Sequence, residues 1–413
     1  MTQASCSESV SDILCRLIEI PSVNPMGRSV SGPEFFEGRV SDWLMSFFGS
    51  FGANSERIQV LPGRDNVLAR YDAGEDRPTL LWDAHQDTVP VEGMTIDPFL
   101  PKLEQGRIYG RGSCDVKGGL AAMLYAFRRL CLERPPNAPN VVLSCSCDEE
   151  STALGIAHVV RYWTASESAS RLLPKKPDGA IVAEPTELDI VVAHRGVTRF
   201  KIHTHGKACH SSDPTKGVNA IYRMAQVLSH LEQYAESLRQ TTIPHPLCGG
   251  ATLSVGRIEG GISVNVVPDH CYIEIDRRII PGEDPLFARR QIEEFLRSRV
   301  DFDLDFEAPW IECVALSDAD NSWLASGLLS AMRQWDEELR CGGDLPMCGE
   351  RKVMGVAYGT NASTLCEAGV PSVVFGPGSI AQAHTKDEYI DQSSLEKAAE
   401  VYYRLCCENS WFH

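Results

Sequence analysis

The sequence predicts an α/β fold: a mostly parallel sheet covered by helices, with a smaller α+β module inserted into it. Apolar runs typical of buried strands alternate with amphipathic helical segments through the first 190 residues. Near residue 190 the pattern changes to strands of alternating polar and apolar residues, and after about residue 308 the first pattern returns. The length of 413 residues also exceeds what one compact core organises. We therefore expect a larger domain in two parts, 1–190 and 308–413, and a module at 191–307.

Helical spacing of apolar residues and continuous apolar runs place the elements of the larger domain. The first helix is expected at 8–20, where apolar residues share one face and Pro21 ends the run. An Ala- and Leu-rich segment predicts another helix at 120–130. The other expected elements are helices at 33–48, 153–163, 320–336 and 393–406, and strands at 57–60, 66–71, 79–83, 141–147, 179–183 and 371–375.

The module is expected to alternate strands and helices in a ferredoxin-like order. Strand-like runs at 190–193 and 198–204 precede a long helix at 219–239. Two further strands, a helix and a last strand are expected at 251–258, 266–278, 284–299 and 301–306. The strand–helix–strand–strand–helix–strand order predicts a compact module.

Composition argues against several classes of protein. The formal net charge is −17, from 39 basic and 56 acidic residues, which does not suit a nucleic-acid partner. No apolar run reaches the length of a membrane span, and the first residues lack the features of a signal peptide. We therefore expect a cytoplasmic protein with neither nucleic acid nor membrane as a partner.

A histidine and an acid follow the predicted strand at 79–83. Alternate side chains of an extended segment share a face, so His85 and Asp87 point the same way. A carboxylate in this position holds a metal-binding imidazole in one tautomer. Taken alone, such a pair is more often a chance surface arrangement than a metal site.

Further ionisable residues lie in a Gly-rich loop or just beyond a predicted buried strand: Asp115, Glu149, Glu150, Glu184 and His384. Each alone is more commonly a solvated side chain or a helix cap. Parallel strands, however, end at one edge of a sheet, so these groups are expected to converge there. Several buried carboxylates would repel one another unless a cation balanced them. Histidines with carboxylates suit a zinc-like ion, and a shared carboxylate suits a pair of ions about 3.5–4 Å apart.

The motifs around these residues resemble those of the zinc-dependent aminoacylase and carboxypeptidase superfamily. The resemblance covers nearly the whole chain and rests on HQDTVP at 85–90, GRG at 110–112, DVKGG at 115–119, DEE at 148–150, EPT at 184–186 and the late histidine. Within the superfamily, the sequence most resembles acetylornithine deacetylases, with succinyl-diaminopimelate desuccinylases as relatives. That similarity rests on AHRG at 193–196, HSSDPTKGVNA at 210–220 and GPGSIAQAHTKDEY at 376–389.

The resemblance implies a zinc-exopeptidase-like catalytic domain with a two-metal centre at the predicted edge. Two zinc ions per subunit are expected, with cobalt as an alternative. His85 and Glu184 would bind one ion, Glu150 and His384 would bind the other, and Asp115 would bridge them. The peptide bond after Asp115 is expected to be cis, as is common in the family.

Two further acids have catalytic roles by the same resemblance. Asp87 would hold the free imidazole nitrogen of His85. Glu149 would act as general base and pass the proton of a water molecule to the departing amine. Adjacent side chains on an extended segment diverge, so Glu149 and Glu150 can face different partners, and an exchange of their roles stays open.

The inserted module would be the dimerisation and lid domain of the family. His210, a residue that in a polar loop is usually just solvated, would polarise the scissile carbonyl in its own or the partner subunit. Asn265 would assist as an oxyanion donor. Arg277 would grip a substrate carboxylate with its planar guanidinium, and the adjacent Arg278 leaves this assignment open. Asn361 stands where the family commonly has Asp, which leaves the role of that loop open. A homodimer is expected through the long helix or a strand edge.

The sequence therefore predicts hydrolysis of the amide bond of an N-acyl L-amino acid, most specifically N-acetylornithine in arginine biosynthesis. Alternatives on the same metal site are a succinyl-diaminopimelate desuccinylase, a dipeptidase or a carboxypeptidase. A metal-free binding or scaffold protein would have lost metal ligands, and no ligand is lost here.

Overall fold

The computed structural model describes residues 8–165, 169–341 and 352–407. Over these residues the α-helices are α1 (Val10–Glu19), α2 (Gly38–Ser50), α3 (Lys117–Glu133), α4 (Leu154–Thr164), α5 (Ala220–Thr241), α6 (Pro285–Arg297), α7 (Ser322–Cys341), α8 (Ala362–Glu367) and α9 (Gln392–Cys407). The strands are β1 (Asn54–Leu61), β2 (Arg64–Tyr71), β3 (Thr79–His85), β4 (Lys102–Glu104), β5 (Arg107–Tyr109), β6 (Asn140–Ser146), β7 (Gly179–Val182), β8 (Ile190–His194), β9 (Gly196–His205), β10 (Cys209–His210), β11 (Thr252–Gly260), β12 (Val266–Val267), β13 (His270–Ile279), β14 (Leu304–Phe306), β15 (Ile311–Cys313), β16 (Val353–Val356), β17 (Ser372–Val374) and β18 (Tyr389–Asp391).

Eight strands form one sheet in the order β1-β2-β6-β3-β7-β17-β8-β16. Its centre, β6, β3, β7 and β17, is parallel. Antiparallel pairs join β1, β2 and β8 to it. The predicted mostly parallel sheet is confirmed at its centre. Because parallel strands end at one edge, the segments that follow these four central strands meet there.

Both faces of this sheet are buried. Leu80, Trp82 and Ala84 of β3 belong to a core cluster with side chains of α1, α3, α7 and α9. Leu81 and Asp83 alternate with them, point to the opposite face and are also fully buried. Burial on both faces explains why β3 is a nearly continuous apolar run rather than an alternating one.

The chain divides into two compact units, and the second comprises Ala193–Ser317 with Gly355–Gly359. Its sheet has the order β11-β13-β9-β14, and all neighbours are antiparallel. Alternate residues of β9 and β13, such as Phe200 and Ile273, pack under α5 and α6 in a core of their own. The order of strands and helices agrees with the predicted one. No helix in the described part of the chain is long and apolar enough to cross a membrane.

Four expectations differ from the structure. The helix expected from residue 33 begins only at Gly38. The run at 266–278 splits into β12 and β13, because Pro268 between them has no N–H to donate to a strand ladder. The strand expected at 190–193 is β8, which joins the eight-stranded sheet rather than the module. At the other boundary, β15 pairs with β9 and so extends the second unit beyond residue 307.

Candidate metal centre

His85 is the last residue of β3, and both of its ring nitrogens have partners. Nε2 lies 3.2 Å from Oδ1 of Asp115. Nδ1 lies 2.9 Å from the main-chain oxygen of Asp87 and 3.6 Å from its carboxylate Oδ1. The structure therefore brings Asp87 to the free nitrogen of His85, with the main-chain oxygen as the nearer acceptor.

The carboxylate of Asp87 also holds the segment that follows β6. It accepts hydrogen bonds from the main-chain N–H groups of Glu149 and Glu150, each at 3.2 Å. It also accepts one from Nδ2 of Asn24 at 2.7 Å. Asp87 is fully buried, and it fixes the backbone that carries both glutamates just beyond β6. Sequence reasoning missed Asn24, because it lies 63 residues from its partner.

Two groups of ligand-type atoms share one acid at this edge. His85, Asp115 and Glu184 form one group, and Asp115, Glu150 and His384 form the other, with all atoms of a group within 4.8 Å of one another. Nε2 of His384 lies 3.3 Å from both Oδ2 of Asp115 and Oε2 of Glu150. The arrangement places the five residues predicted to bind metal around the shared carboxylate of Asp115.

The loop that carries Asp115 is held by Glu388, which sequence reasoning missed. One carboxylate oxygen of Glu388 accepts from the N–H groups of Cys114 and Asp115 at 2.8 and 2.9 Å. The other accepts from the N–H of Gly112 at 3.0 Å and from Arg111 at 2.7 Å. In the sequence, Glu388 is marked only by its position in the segment 376–389, which also contains His384. Glu388 is fully buried and fixes the position of the shared acid.

The start of α3 approaches its neighbours closely. The peptide bond Asp115–Val116 is cis, as expected. A Cβ at Gly118 would lie 2.4 Å from the main-chain oxygen of Ser113, and one at Gly119 would lie 2.8 Å from Cβ of Ala183. Glycine is therefore required at position 118 for the turn from Ser113 into α3, and at position 119 for α3 to pack against the residue that follows β7.

A buried network supports the segment after β6. Arg64 forms ion pairs with Asp148 and, at 3.4 Å, with Glu37. Asn24 links this network to the centre, because its Nδ2 donates to Asp148 at 2.9 Å as well as to Asp87. The backbone of Asp148 has a φ of 61°, a sparsely populated region that persists only where surrounding contacts hold it.

Without a bound cation, ionising the acids of the candidate centre costs free energy. Burial, reinforced by repulsion from neighbouring acids, raises the pKa of Glu149 to about 8 and that of Glu150 to about 7. The same causes raise the pKa of Glu184 well above its usual range. Hydrogen bonds to Asp115 and Glu150 raise the pKa of His384 to about 10. These shifts show that the edge favours additional positive charge.

The donor set fits a metal ion. Oε1 of Glu150 is buried and has no hydrogen-bond partner among the described residues. Two imidazoles and three carboxylates are the ligand types that zinc takes, and a shared carboxylate is typical of two-metal sites. Glu149 belongs to neither ligand group, which leaves its carboxylate free for proton transfer.

His210 and Asn265 are neighbours in the second unit. β10 pairs with β12 so that His210 faces Val266, and the N–H of Ser211 donates to the main-chain oxygen of Asn265 at 3.0 Å. Nδ1 of His210 lies 2.8 Å from the hydroxyl of Ser212. Both predicted residues are exposed, and the main-chain hydrogen bond brings the segments that carry them side by side.

The side chain of Arg277 is buried, whereas the role predicted for it needs an accessible guanidinium. Its side chain is 0% exposed and binds Glu283 through Nη2 at 2.8 Å. Arg278, the alternative, points to the other face of β13, is 27% exposed and pairs with Asp276 at 2.8 Å. The buried guanidinium of Arg277 is occupied within the second unit, so only Arg278 presents its charge to solvent.

Asn361 directly precedes α8 and is buried rather than available to a substrate. Its Nδ2 donates to Oδ2 of Asp83 at 2.9 Å and to the hydroxyl of Ser146 at 3.2 Å. Burial raises the pKa of Asp83. The amide at position 361 therefore satisfies a carboxyl group in β3, where a second acid would meet it at close range.

The fold and this edge of two histidines and four acids define a metal-dependent hydrolase that acts on amide bonds. The chain belongs to the peptidase family M20/M25/M40, whose sequence model matches residues 81–408. It is 33% identical over 396 residues to an acetylornithine deacetylase of Vibrio campbellii, covering 92% of this chain and 95% of the relative. A protein of the same name from Photorhabdus laumondii is 29% identical, with 95% of each chain covered.

Solved structures of the same family share the fold. An M20 family metallo-carboxypeptidase from Sulfolobus solfataricus matches with a TM-score of 0.74 at 18% identity, covering 97% of this chain and 99% of the other. A dinuclear metal binding peptidase from Bacillus subtilis matches with a TM-score of 0.65 at 18% identity and 96% coverage of each. The predicted superfamily and fold class are confirmed.

Proposed function

We propose that this protein removes the acyl group from N-acyl L-amino acids, with N-acetylornithine as the favoured substrate. The observation that carries the proposal is the pair of ligand groups that share Asp115, beside the unshared acid Glu149. The relatives named acetylornithine deacetylase, at 33% and 29% identity over most of the chain, support this substrate. Such an activity would serve arginine biosynthesis.

We assign two zinc ions to the centre, with cobalt as an alternative. His85 and Glu184 would hold one ion, Glu150 and His384 the other, and Asp115 both. When bound, the ions would polarise the scissile carbonyl and lower the pKa of the attacking water. Imidazole donors favour zinc over magnesium or calcium, which take oxygen ligands.

Glu149 acts as the general base in this proposal. Burial raises its pKa to about 8 in the metal-free chain, and added positive charge lowers that value towards neutrality. Its carboxylate then takes the proton from water and delivers it to the amine that leaves. Asp87 keeps Glu149 in place, since it accepts the hydrogen bond of the Glu149 N–H.

Residues of the second unit would bind the substrate. We assign the substrate α-carboxylate to Arg278 instead of Arg277, because a guanidinium grips a carboxylate bidentately and Arg278 is the exposed one of the two. His210 would polarise the scissile carbonyl and Asn265 would donate to the developing oxyanion. The exposure of His210 suits action in its own subunit or in a partner.

We propose a homodimer through the second unit. Among the described residues, β11 pairs with β13 alone, so one edge of β11 has no strand beside it. Large apolar side chains are exposed nearby: Ile258 by 51%, Ile262 by 90% and Val264 fully. An apolar edge strand is a template for pairing with a second chain. Analytical ultracentrifugation should show a dimer, and Ile262→Asp should shift it towards the monomer.

We also place the enzyme in the cytoplasm. Among the described residues, Cys114, Cys145, Cys271 and Cys406 carry free thiols. Free thiols are typical of a reducing compartment.

A substrate panel tests the proposed reaction. N-acetylornithine, succinyl-diaminopimelate and aminoacyl dipeptides should be compared with zinc or cobalt added, and N-acetylornithine should give the highest kcat/KM. Preference for one of the others would assign the site to a desuccinylase or a peptidase instead.

Glu149→Gln tests the mechanism. It should lower kcat by about 10²–10⁴-fold or more and leave the number of bound ions unchanged, because Glu149 is no ligand. Glu75→Gln, in an exposed loop, is the matched control. Activity of Glu149→Gln within about tenfold of the parent enzyme would exclude it as the base.

A further inference from the structure

Three histidines cluster on the face of the second unit's sheet that its helices leave uncovered. His203 and His205 are alternate residues of β9, and the residues between and before them, such as Ile202, pack under the helices. His270 begins β13 and is the direct partner of His205 in the register of the two strands. The three rings therefore share one surface, and none belongs to the candidate metal centre.

The rings lie in contact with one another. Nδ1 of His203 is 2.9 Å from Nε2 of His270, and the two ring centroids are 5.2 Å apart. The ring of His205 lies 5.5 Å from that of His270. Directly opposed residues of an antiparallel pair have Cβ atoms about 4.5–5.5 Å apart, so the third ring stays within reach of the other two.

Two carboxylates hold the outer nitrogens of this cluster. Nε2 of His203 lies 2.8 Å from Glu307, and Nε2 of His205 lies 2.7 Å from Asp305. A neutral imidazole that donates from Nε2 has its lone pair on Nδ1. The tautomer that donates from Nε2 to these carboxylates leaves Nδ1 of both β9 histidines available to a metal ion. Carboxylates play this part for metal-ligating histidines in general.

We propose that His203, His205 and His270 form a binding site for one divalent transition-metal ion. Two nitrogens that bind one tetrahedral zinc ion at about 2.0–2.1 Å lie about 3.3–3.4 Å apart. Nδ1 of His203 and Nε2 of His270 are 2.9 Å apart, so the two rings need to separate by only about 0.4–0.5 Å to bind one ion. His205 would complete the set by turning its ring away from Asp305, which its 51% exposed side chain permits. Three imidazoles suit Zn²⁺, Cu²⁺ or Ni²⁺ rather than Mg²⁺ or Ca²⁺.

The site would tie two strands of the sheet together. His203 and His205 come from β9 and His270 from β13, while the two carboxylates lie on or just after β14. An ion bound only by the folded sheet raises the stability of the second unit by mass action. This site stands apart from the proposed amidohydrolase, because it uses none of the residues assigned to that reaction.

Site-resolved chemical modification tests the proposal on the full chain. Metal-stripped protein is treated with diethyl pyrocarbonate with and without added Zn²⁺, and modified histidines are mapped by mass spectrometry. We expect Zn²⁺ to slow modification of His203 and His270 at least tenfold and to leave the partly exposed His158 of α4 unaffected. Equal modification of the cluster with and without Zn²⁺, or equal protection of His158, overturns the proposal. Failure of the candidate metal centre does not change this result.

Metal analysis of variants gives a second test. His270→Gln should bind one Zn²⁺ fewer per chain than the parent, whereas His158→Gln should bind the same number. Glu307→Gln keeps all three ligands but frees the tautomer of His203, so it should weaken Zn²⁺ binding at the site about 10–100-fold. His270 is exposed, and a circular dichroism spectrum matching the parent will verify its fold. An unchanged ion count in His270→Gln refutes the site.

Discussion

Replacement of Glu388 by Gln tests whether the loop that carries Asp115 is held in its conformation before a metal ion binds. Each carboxylate oxygen of Glu388 accepts two hydrogen bonds, from the N–H groups of Cys114 and Asp115 on one side and from Gly112 and Arg111 on the other. The side-chain amide of Gln has one oxygen and one NH₂ group. In either orientation the NH₂ group faces two of the four donors and cannot accept their hydrogen bonds. Two buried unsatisfied donors cost about 1–3 kcal/mol each, or about 2–6 kcal/mol together. That is a large part of the usual stability of a domain.

Urea unfolding and metal titration measure this effect. We expect Glu388→Gln to lower the free energy of unfolding by that amount and to weaken metal binding about 10–100-fold, as loss of a supporting contact does at other metal sites. Glu396→Gln on α9 is the control, since Glu396 accepts a single exposed hydrogen bond from Gln392. Parental stability and metal affinity in Glu388→Gln would show that the loop positions Asp115 without this carboxylate.

Three further changes probe other parts of the structure. Metal-free protein should lose stability as the pH rises from about 4.5 to 8, because burial raises the pKa of Glu149 to about 8 and the folded chain keeps a proton that the unfolded chain releases. Thermal unfolding should show a shallower loss in Glu149→Gln, and an equal slope would contradict the assignment. Arg278→Gln should lower kcat/KM roughly 10- to 150-fold, which corresponds to about 1.5–3 kcal/mol of lost binding energy. Arg277→Gln should instead lower the free energy of unfolding in urea. Asn361→Asp should destabilise the chain by opposing a second carboxylate to Asp83, and adding Asp83→Asn should restore most of the loss; no recovery would show that the pair is not coupled.

The sequence could predict that the metal-ligand candidates lie close together, because this follows from the direction of the parallel strands alone. His85, Glu150, Glu184 and His384 come after strands that were readable as buried apolar runs, and parallel strands end at one edge. The ferredoxin-like order of the second unit was readable for a similar reason, since its strands alternate polar and apolar residues. In both cases the pattern lies within one short segment of the chain.

The burial of Arg277 was readable from the sequence, although the role predicted for this residue did not use that signal. Cys271, Ile273 and Ile275 are alternate apolar residues of β13, and Arg277 continues their series. That alternation places Arg277 on the face under the helices and Arg278 on the other. A charged residue in an apolar series indicates a buried ion pair, here with Glu283. Glu388 had no such signal, because its partners lie 273–277 residues away.

The contacts around the centre indicate what metal binding contributes. Main-chain hydrogen bonds to Asp87 hold the segment of Glu149 and Glu150, those to Glu388 hold the loop of Asp115, and β3 carries His85. None of these contacts needs a metal ion. A site that is fixed in this way differs from small zinc domains, in which metal binding supplies the folding free energy. The energy of ion binding is instead available to offset the repulsion among buried acids. That repulsion arises because several carboxylates are held close together at the edge of the sheet where the amide bond of a substrate would bind.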